Sequence, residues 1–274
     1  MILIGGSNFV AVRFSNAELP PFWGAAIRFI PASLLLFISL AIWRIPVPRG
    51  AALVGAAIFG ALNFGVSYAF LYFGLQKAPA ATASVIQALL PLFAFLLALA
   101  HGLERFRIRG LIGALIATAG IAVVFIDQLR ADVPAVYLLA IVGGAAAGAE
   151  AGVVAKRFPR THPLSTNAVG MLVGAAILLI LSLIAGEAHP LPQRPETILT
   201  IAYLATIGAI GLFGLFLFVL GRWTVSASAY ALVVMPLVAT ALGALLRGEA
   251  VSASFFVGAV IVALGVYIGA LSKG

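Results

Sequence analysis

Ten stretches of this chain come close to the roughly 20 apolar residues that a membrane-spanning helix needs. They cover residues 1–16, 22–43, 51–75, 80–100, 109–126, 134–155, 165–186, 197–220, 225–246 and 253–271, and are numbered here helix one to helix ten. Turn residues separate them: Pro20-Pro21, Pro46 and Pro48, Pro79, Asp132 to Pro134, Pro159 and Pro163, and Pro190 to Pro195. Of the 274 residues 64% are apolar and 9% charged, where a soluble domain carries about 25% charged. That leaves too little polar surface to face water, so the solvent must be lipid. In lipid an unpaired backbone amide or carbonyl is costly, which leaves closely bundled helices as the expected form. The first stretch is short and apolar from Met1 onward, so helix one is expected to be clipped or to start further upstream. No basic run precedes it, as a cleavable signal peptide would require. The chain has no cysteine, which excludes disulfides, thiolate nucleophiles and thiolate metal sites.

The run from Phe73 to Gly120 is written twice. A shift of 145 positions lays Lys77 on Arg222, Pro91 on Pro236, Glu104 on Glu249, Gly113 on Gly258 and Gly120 on Gly265, with no gap. Matches at proline, glutamate and glycine are harder to reach by chance than leucine on leucine. The chain therefore reads as two copies, residues 1–130 and 131–274, of five spans each. Five is odd, so the second copy must enter the membrane from the opposite side. Such inverted repeats set two similar bundles about a central cavity and let them rock between outward- and inward-facing states. Glycines four apart, at 144, 148 and 152, at 170 and 174 and at 265 and 269, are the close-approach stripes expected of packed spans.

Sidedness follows from Lys and Arg, which concentrate on the cytoplasmic face. Ten of the sixteen lie in the even-numbered connections and the C-terminal tail, five in the odd ones, and Arg28 lies within a span. Both termini are expected in the cytoplasm.

The ten-span duplication, the Gly6-Ser7-Asn8 opening of helix one, the Arg28-Phe29 pair, and Pro91 then Glu104 repeated as Pro236 then Glu249 resemble the drug/metabolite transporter superfamily, EamA branch, over the whole chain. The chain looks most like the aromatic amino acid exporters of the bacterial inner membrane (YddG type). It departs from the pattern at Gly5, where such chains usually carry Trp. The resemblance implies a multi-pass exporter of amino acids, aromatic ones preferred, with no cofactor. Its partners would be the small-molecule substrate and the bilayer, with no nucleic acid.

Polar groups inside spans are expensive and usually face the bundle interior. Tyr68 and Tyr72 follow Phe64 at four-residue spacing in helix three, with Asn63 and Ser67 beside them; Ser84, Gln87 and Pro91 share a face of helix four. Asn8 in helix one and Tyr230 in helix nine complete a substrate-binding set of Asn8, Asn63, Tyr68, Tyr72, Ser84, Gln87 and Tyr230. The alternative is that tyrosines anchor at the interface and amides tie helices together. Ser84 and Gln87 fall on Ala229 and Leu232 in the second copy, so polar contacts are expected mainly from the first. Pro91 and Pro236 each free a carbonyl and serve either as paired hinges or as fixed kinks.

Glu150 is the one carboxylate clearly within a span, and either couples a proton or reaches Lys156. Arg28 is expected to snorkel to the outer headgroups rather than bind a carboxylate. Glu104 and Glu249 are read as caps or loop ties. His101, His162 and His189 fall in or beside connections, which leaves no buried dyad or metal set for an intramembrane enzyme. A structural subunit would not need the inversion. Among transporters, a cationic-compound proton antiporter is the runner-up, because Glu150 supplies its acid. A nucleotide-sugar exchanger would want several basic residues in the spans.

Overall fold

The computed structural model describes residues 1–16, 18–78, 80–126, 133–247 and 253–271, and every regular element among them is helical. Helix one is Ile2–Asn16, helix two Pro21–Ile42, helix five Ile108–Val124, helix six Ala135–Arg157, helix seven Pro163–Ile184 and helix nine Val225–Arg247. Helix four has two pieces, Ala80–Gln87 and Leu90–Ala100. Helix three runs from Ala51 to Leu75 and helix eight from Pro195 to Arg222, each with a π-helical segment at its middle; helix ten is Ala253–Val266 continued by a π turn, Tyr267–Leu271. These ends agree with the expected spans to within a few residues. Eight of the helices are long and apolar enough to cross a membrane; helix five, of 17 residues, is apolar but shorter, and helix one has 15.

Termination is local chemistry. Pro21, Pro163 and Pro195 open their helices, where the missing N–H has no intrahelical partner to lose. Gly102 and Gly186 close helices four and seven in the left-handed region, with the next amide bonding back five residues, Leu103 to Ala98 and Glu187 to Ser182. Outward faces carry bare aliphatic groups such as Ile42, Leu139, Ile184 and Leu199, the surface a lipid solvent requires.

The two halves are inverted. Helices five and ten, counterparts under the 145-residue shift, lie side by side. A Cβ on Gly113 would fall 2.5 Å from the Cα of Gly269, and one on Gly120 would fall 2.6 Å from the backbone nitrogen of Val262. Moving up one helix moves down the other, so these equivalent helices are antiparallel. The remaining packing repeats when each helix is exchanged for its counterpart. Helix two packs on seven and four on nine; one packs on nine as six does on four, and three packs on six as eight does on one. The expected boundary at residues 130 and 131 lies outside the described residues, as do Asp127, Asp132 and Glu249.

Gly5 has a packing reason. A Cβ there would sit 2.1 Å from the Met235 sulfur, so any side chain at this position would require the Met235 side chain of helix nine to move aside.

Candidate functional site

The π segments sit at matching places. Ala61–Val66 moved by 145 gives 206–211, inside the second segment, Leu204–Gly211. Such segments insert an extra residue into the turn and re-aim the side chains that follow, and they recur at functional sites.

Around them five aromatic rings meet. Phe29 from helix two lies 5.1 Å from Phe64 and 5.2 Å from Tyr68; Tyr72 lies 6.1 Å from Tyr68; Phe213, the helix-eight counterpart of Tyr68, lies 4.6 Å from Phe64. Phe29 and Phe64 are fully buried, Tyr72 nearly so and Tyr68 half-buried. The cluster thus joins helices of both copies.

Arg28 belongs to this cluster, which corrects the expectation that it snorkels. Its side chain is only 3% exposed. Nη2 donates to the Tyr68 hydroxyl at 2.7 Å, and the guanidinium carbon lies 4.4 Å from the Phe29 ring centre and 4.9 Å from that of Tyr68. Nε is buried with no acceptor, and no carboxylate among the described residues pairs with the group.

The other polar residues divide. Asn8 ties helices, donating from Nδ2 to the Gly208 carbonyl at 2.8 Å, while its Oδ1 is buried without a partner. Ser67 likewise donates to the Gly144 carbonyl at 2.8 Å. Asn63 lies in the first π segment, half-buried, with an Nδ2 that has no partner. Ser84 and Gln87 are half-buried on the first piece of helix four. Tyr230 is 2% exposed, packs against helices five and ten, and donates to the Gly110 carbonyl at 3.1 Å, so its place is in a packing seam.

The two prolines differ. Pro91 opens the second piece of helix four after a turn at residues 88–89, whereas Pro236 lies within the continuous helix nine. The carbonyl of Ala88, beside the break, accepts from the Thr118 hydroxyl of helix five at 3.0 Å.

Glu150 does not reach Lys156. Its Oε1 lies 3.2 Å from His101 Nε2, and its Oε2 is buried without a partner. Lys156 instead donates to the carbonyls of Leu220, at 2.7 Å, and Trp223, and so closes the end of helix eight. On the other edge of His101, Nδ1 lies 2.8 Å from Arg157 Nη1. A guanidinium only donates, so Nδ1 accepts and the ring hydrogen on Nε2 is directed at Glu150.

A cavity of about 560 Å³ opens between the start of helix three, the end of helix six, the start of helix seven and the end of helix eight. Lys156, Arg160 and Arg222 line it with Phe158 and Phe218, and none of the expected substrate residues does. The gathering of Lys and Arg at these helix ends is the sequence signal for this basic mouth.

The architecture is that of a multi-pass membrane transporter built from two inverted five-helix halves. The family comparison agrees: the EamA-like transporter family matches twice, over residues 1–126 and 135–270, and the chain belongs to that family. It is similar to the uncharacterized inner membrane transporter YedA of Escherichia coli K12, 25% identical over 253 residues, covering 92% of this chain and 82% of that one. The uncharacterized transporter YoaV of Bacillus subtilis 168 is 22% identical over 270 residues, covering 97% of this chain and 92% of the other. A crystal structure of a protein 24% identical shares the fold, with a TM-score of 0.82 over 98% of this chain and 93% of that one.

Proposed function

We propose that this transporter exports amino acids, aromatic ones first, across the bacterial inner membrane by alternating access between its two halves, with both termini in the cytoplasm. The observation that carries the reading is the ring cluster of Phe29, Phe64, Tyr68, Tyr72 and Phe213, contributed by both copies and set beside partly buried polar groups. Ring faces and edges favour another ring in offset or edge-on contact, and a few hydroxyls and amides orient a polar head. Tyr68, Tyr72 and Asn63 form the core of the proposed site, with Ser84 and Gln87 on the approach. Two copies hinged about such a cluster would expose it to one side at a time. The inner-membrane placement draws on the relative YedA, which is named for that membrane.

The test is a panel of labelled amino acids in proteoliposomes, with and without a pH gradient. Saturable flux of phenylalanine, tyrosine or tryptophan, above that of aspartate and lysine, is the expected result. Equal flux for all, or none, would remove the reading. A second reading, proton-coupled efflux of cationic compounds, is favoured by the partnerless buried oxygen of Glu150. It predicts flux of aromatic amines that depends on the pH gradient.

A further inference from the structure

We infer that Arg28 and Tyr68 form a carboxylate-binding site, so that the transporter selects solutes by their anionic end; the inference rests on the amino acid reading above and names the group of the solute that is recognised.

A guanidinium has five N–H donors and keeps its charge at any ordinary pH. At Arg28 the hydrogen bond to Tyr68 uses one of them. Nε–H is wholly buried and unmet, in a residue 97% removed from solvent. A buried charge with no counter-charge costs several kcal/mol, and proteins keep one where a ligand or partner completes it. Rings of Phe29 and Tyr68 pack close by and lessen that cost without supplying an anion. Glu187, an acid at the same end of helix two, is committed elsewhere: it accepts from the backbone amides of Phe22 and Trp23 at 3.2 and 2.9 Å and from the Ser182 hydroxyl at 2.7 Å.

The second copy shows that the fold does not need the charge. Helix seven, the counterpart of helix two, has no Lys or Arg at all, and Phe213, 145 positions after Tyr68, is a ring without a hydroxyl. What the first copy adds is one cation and one hydroxyl, hydrogen-bonded to each other.

The chemistry then fits one ligand group. The Tyr68 oxygen accepts from Arg28, which leaves its own hydrogen free to donate. A guanidinium N–H and a phenol O–H together offer donors to the two oxygens of a carboxylate. The ring of an aromatic amino acid would lie toward Phe64, Tyr72 and Phe213. Its ammonium would point away from Arg28.

The experiment pairs each amino acid with its own amide, which keeps the side chain and ammonium and removes the anion. Competition against labelled substrate is measured in proteoliposomes for the wild type, Arg28→Gln, Arg28→Lys and Tyr68→Phe. The side chain that competes best tests the amino acid reading; the acid-to-amide ratio tests Arg28. The wild type should prefer acid to amide by about tenfold or more, since a charged hydrogen-bonded pair of this kind is worth roughly that factor. Arg28→Gln should bring the ratio to near unity, and Arg28→Lys, a charge without the fork, should leave it between the two. Tyr68→Phe keeps the ring and should lower the ratio by about threefold. It serves as the decisive variant where Arg28→Gln does not survive extraction. A wild type indifferent to the carboxylate, or variants that lose acid and amide equally, would overturn the assignment. Preference for an aliphatic acid over its amide, lost in Arg28→Gln, would keep Arg28 and discard the aromatic preference.

Discussion

The carboxylate of Glu104, in the turn after helix four, accepts both the backbone N–H of Ser226 at 2.9 Å and the Ser226 hydroxyl at 2.6 Å. Ser226 is the second residue of helix nine, so an acid of the first copy caps a helix of the second. A negative group there meets both the unpaired amides and the positive end of the helix dipole. Glu104→Ala should lower stability by about 1–3 kcal/mol, and Glu104→Gln, which keeps one acceptor, by less. Thermal unfolding in detergent reads the difference. An alanine variant that unfolds with the wild type would show the cap to be idle.

Close approach makes the glycines unequal. A Cβ on Gly113 would meet the backbone of Gly269 at 2.5 Å and the Gly265 carbonyl at 2.8 Å, and backbone cannot turn aside. Gly113→Ala should therefore force helices five and ten apart and cost about 1–3 kcal/mol or more. Gly214, inside helix eight, has nothing within 4 Å of a Cβ position. Gly214→Ala should stabilise by about 0.5–1 kcal/mol, because alanine gives up less backbone freedom than glycine in a helix. Opposite shifts in unfolding temperature for the pair are the expected result.

Helix ends were legible in the sequence because lipid leaves a chain so few choices. Apolar length and proline position fixed them to within a few residues, and the 145-residue repeat carried the inversion. What was not legible was direction around a helix. The depth of Arg28 is compatible with snorkelling, and only the rotation of helix two, which turns it toward a tyrosine forty positions away, buries it. Glu150 went to His101 rather than Lys156 for the same reason: one partner is near in sequence, the other near across two packed helices. Pro91 and Pro236 match as letters, yet only helix four breaks. The difference lies in a third residue, since Thr118 offers a hydroxyl to the Ala88 carbonyl while its counterpart in helix ten is Ala263.

That hydroxyl makes the break testable. Pro91 has no N–H to give the carbonyl of Gln87, and the carbonyl of Ala88 is met from helix five. Thr118→Val should strip that partner at little change in volume and destabilise by about 1–3 kcal/mol. Pro91→Ala lets helix four close into one rod. If the break is the moving part, turnover should fall in Pro91→Ala with binding affinity kept, and fall less in Pro236→Ala, where the helix is already continuous. Equal turnover in both variants and the wild type would make the prolines fixed features of packing.

Glu150 and His101 give the last prediction. His101 closes helix four, Glu150 and Arg157 belong to helix six, and the imidazole bridges them at 3.2 and 2.8 Å. The bridge spans helices that must shift if the two halves rock, and its buried carboxylate oxygen is the one acid site inside the described spans with no partner. If Glu150 carries the coupled proton, Glu150→Gln should abolish the difference in flux with and without a pH gradient while leaving exchange of solute for solute in place. His101→Ala keeps the carboxylate but removes its donor, so the response to the gradient should persist while the tie between helices four and six is lost. Arg157→Ala, which frees the far ring nitrogen but leaves Nε2 and Glu150 together, should keep both the response and the tie. A Glu150→Gln protein that answers the gradient as the wild type does would leave the bridge as a tie between helices four and six, and its rupture would then register only as a lower unfolding temperature.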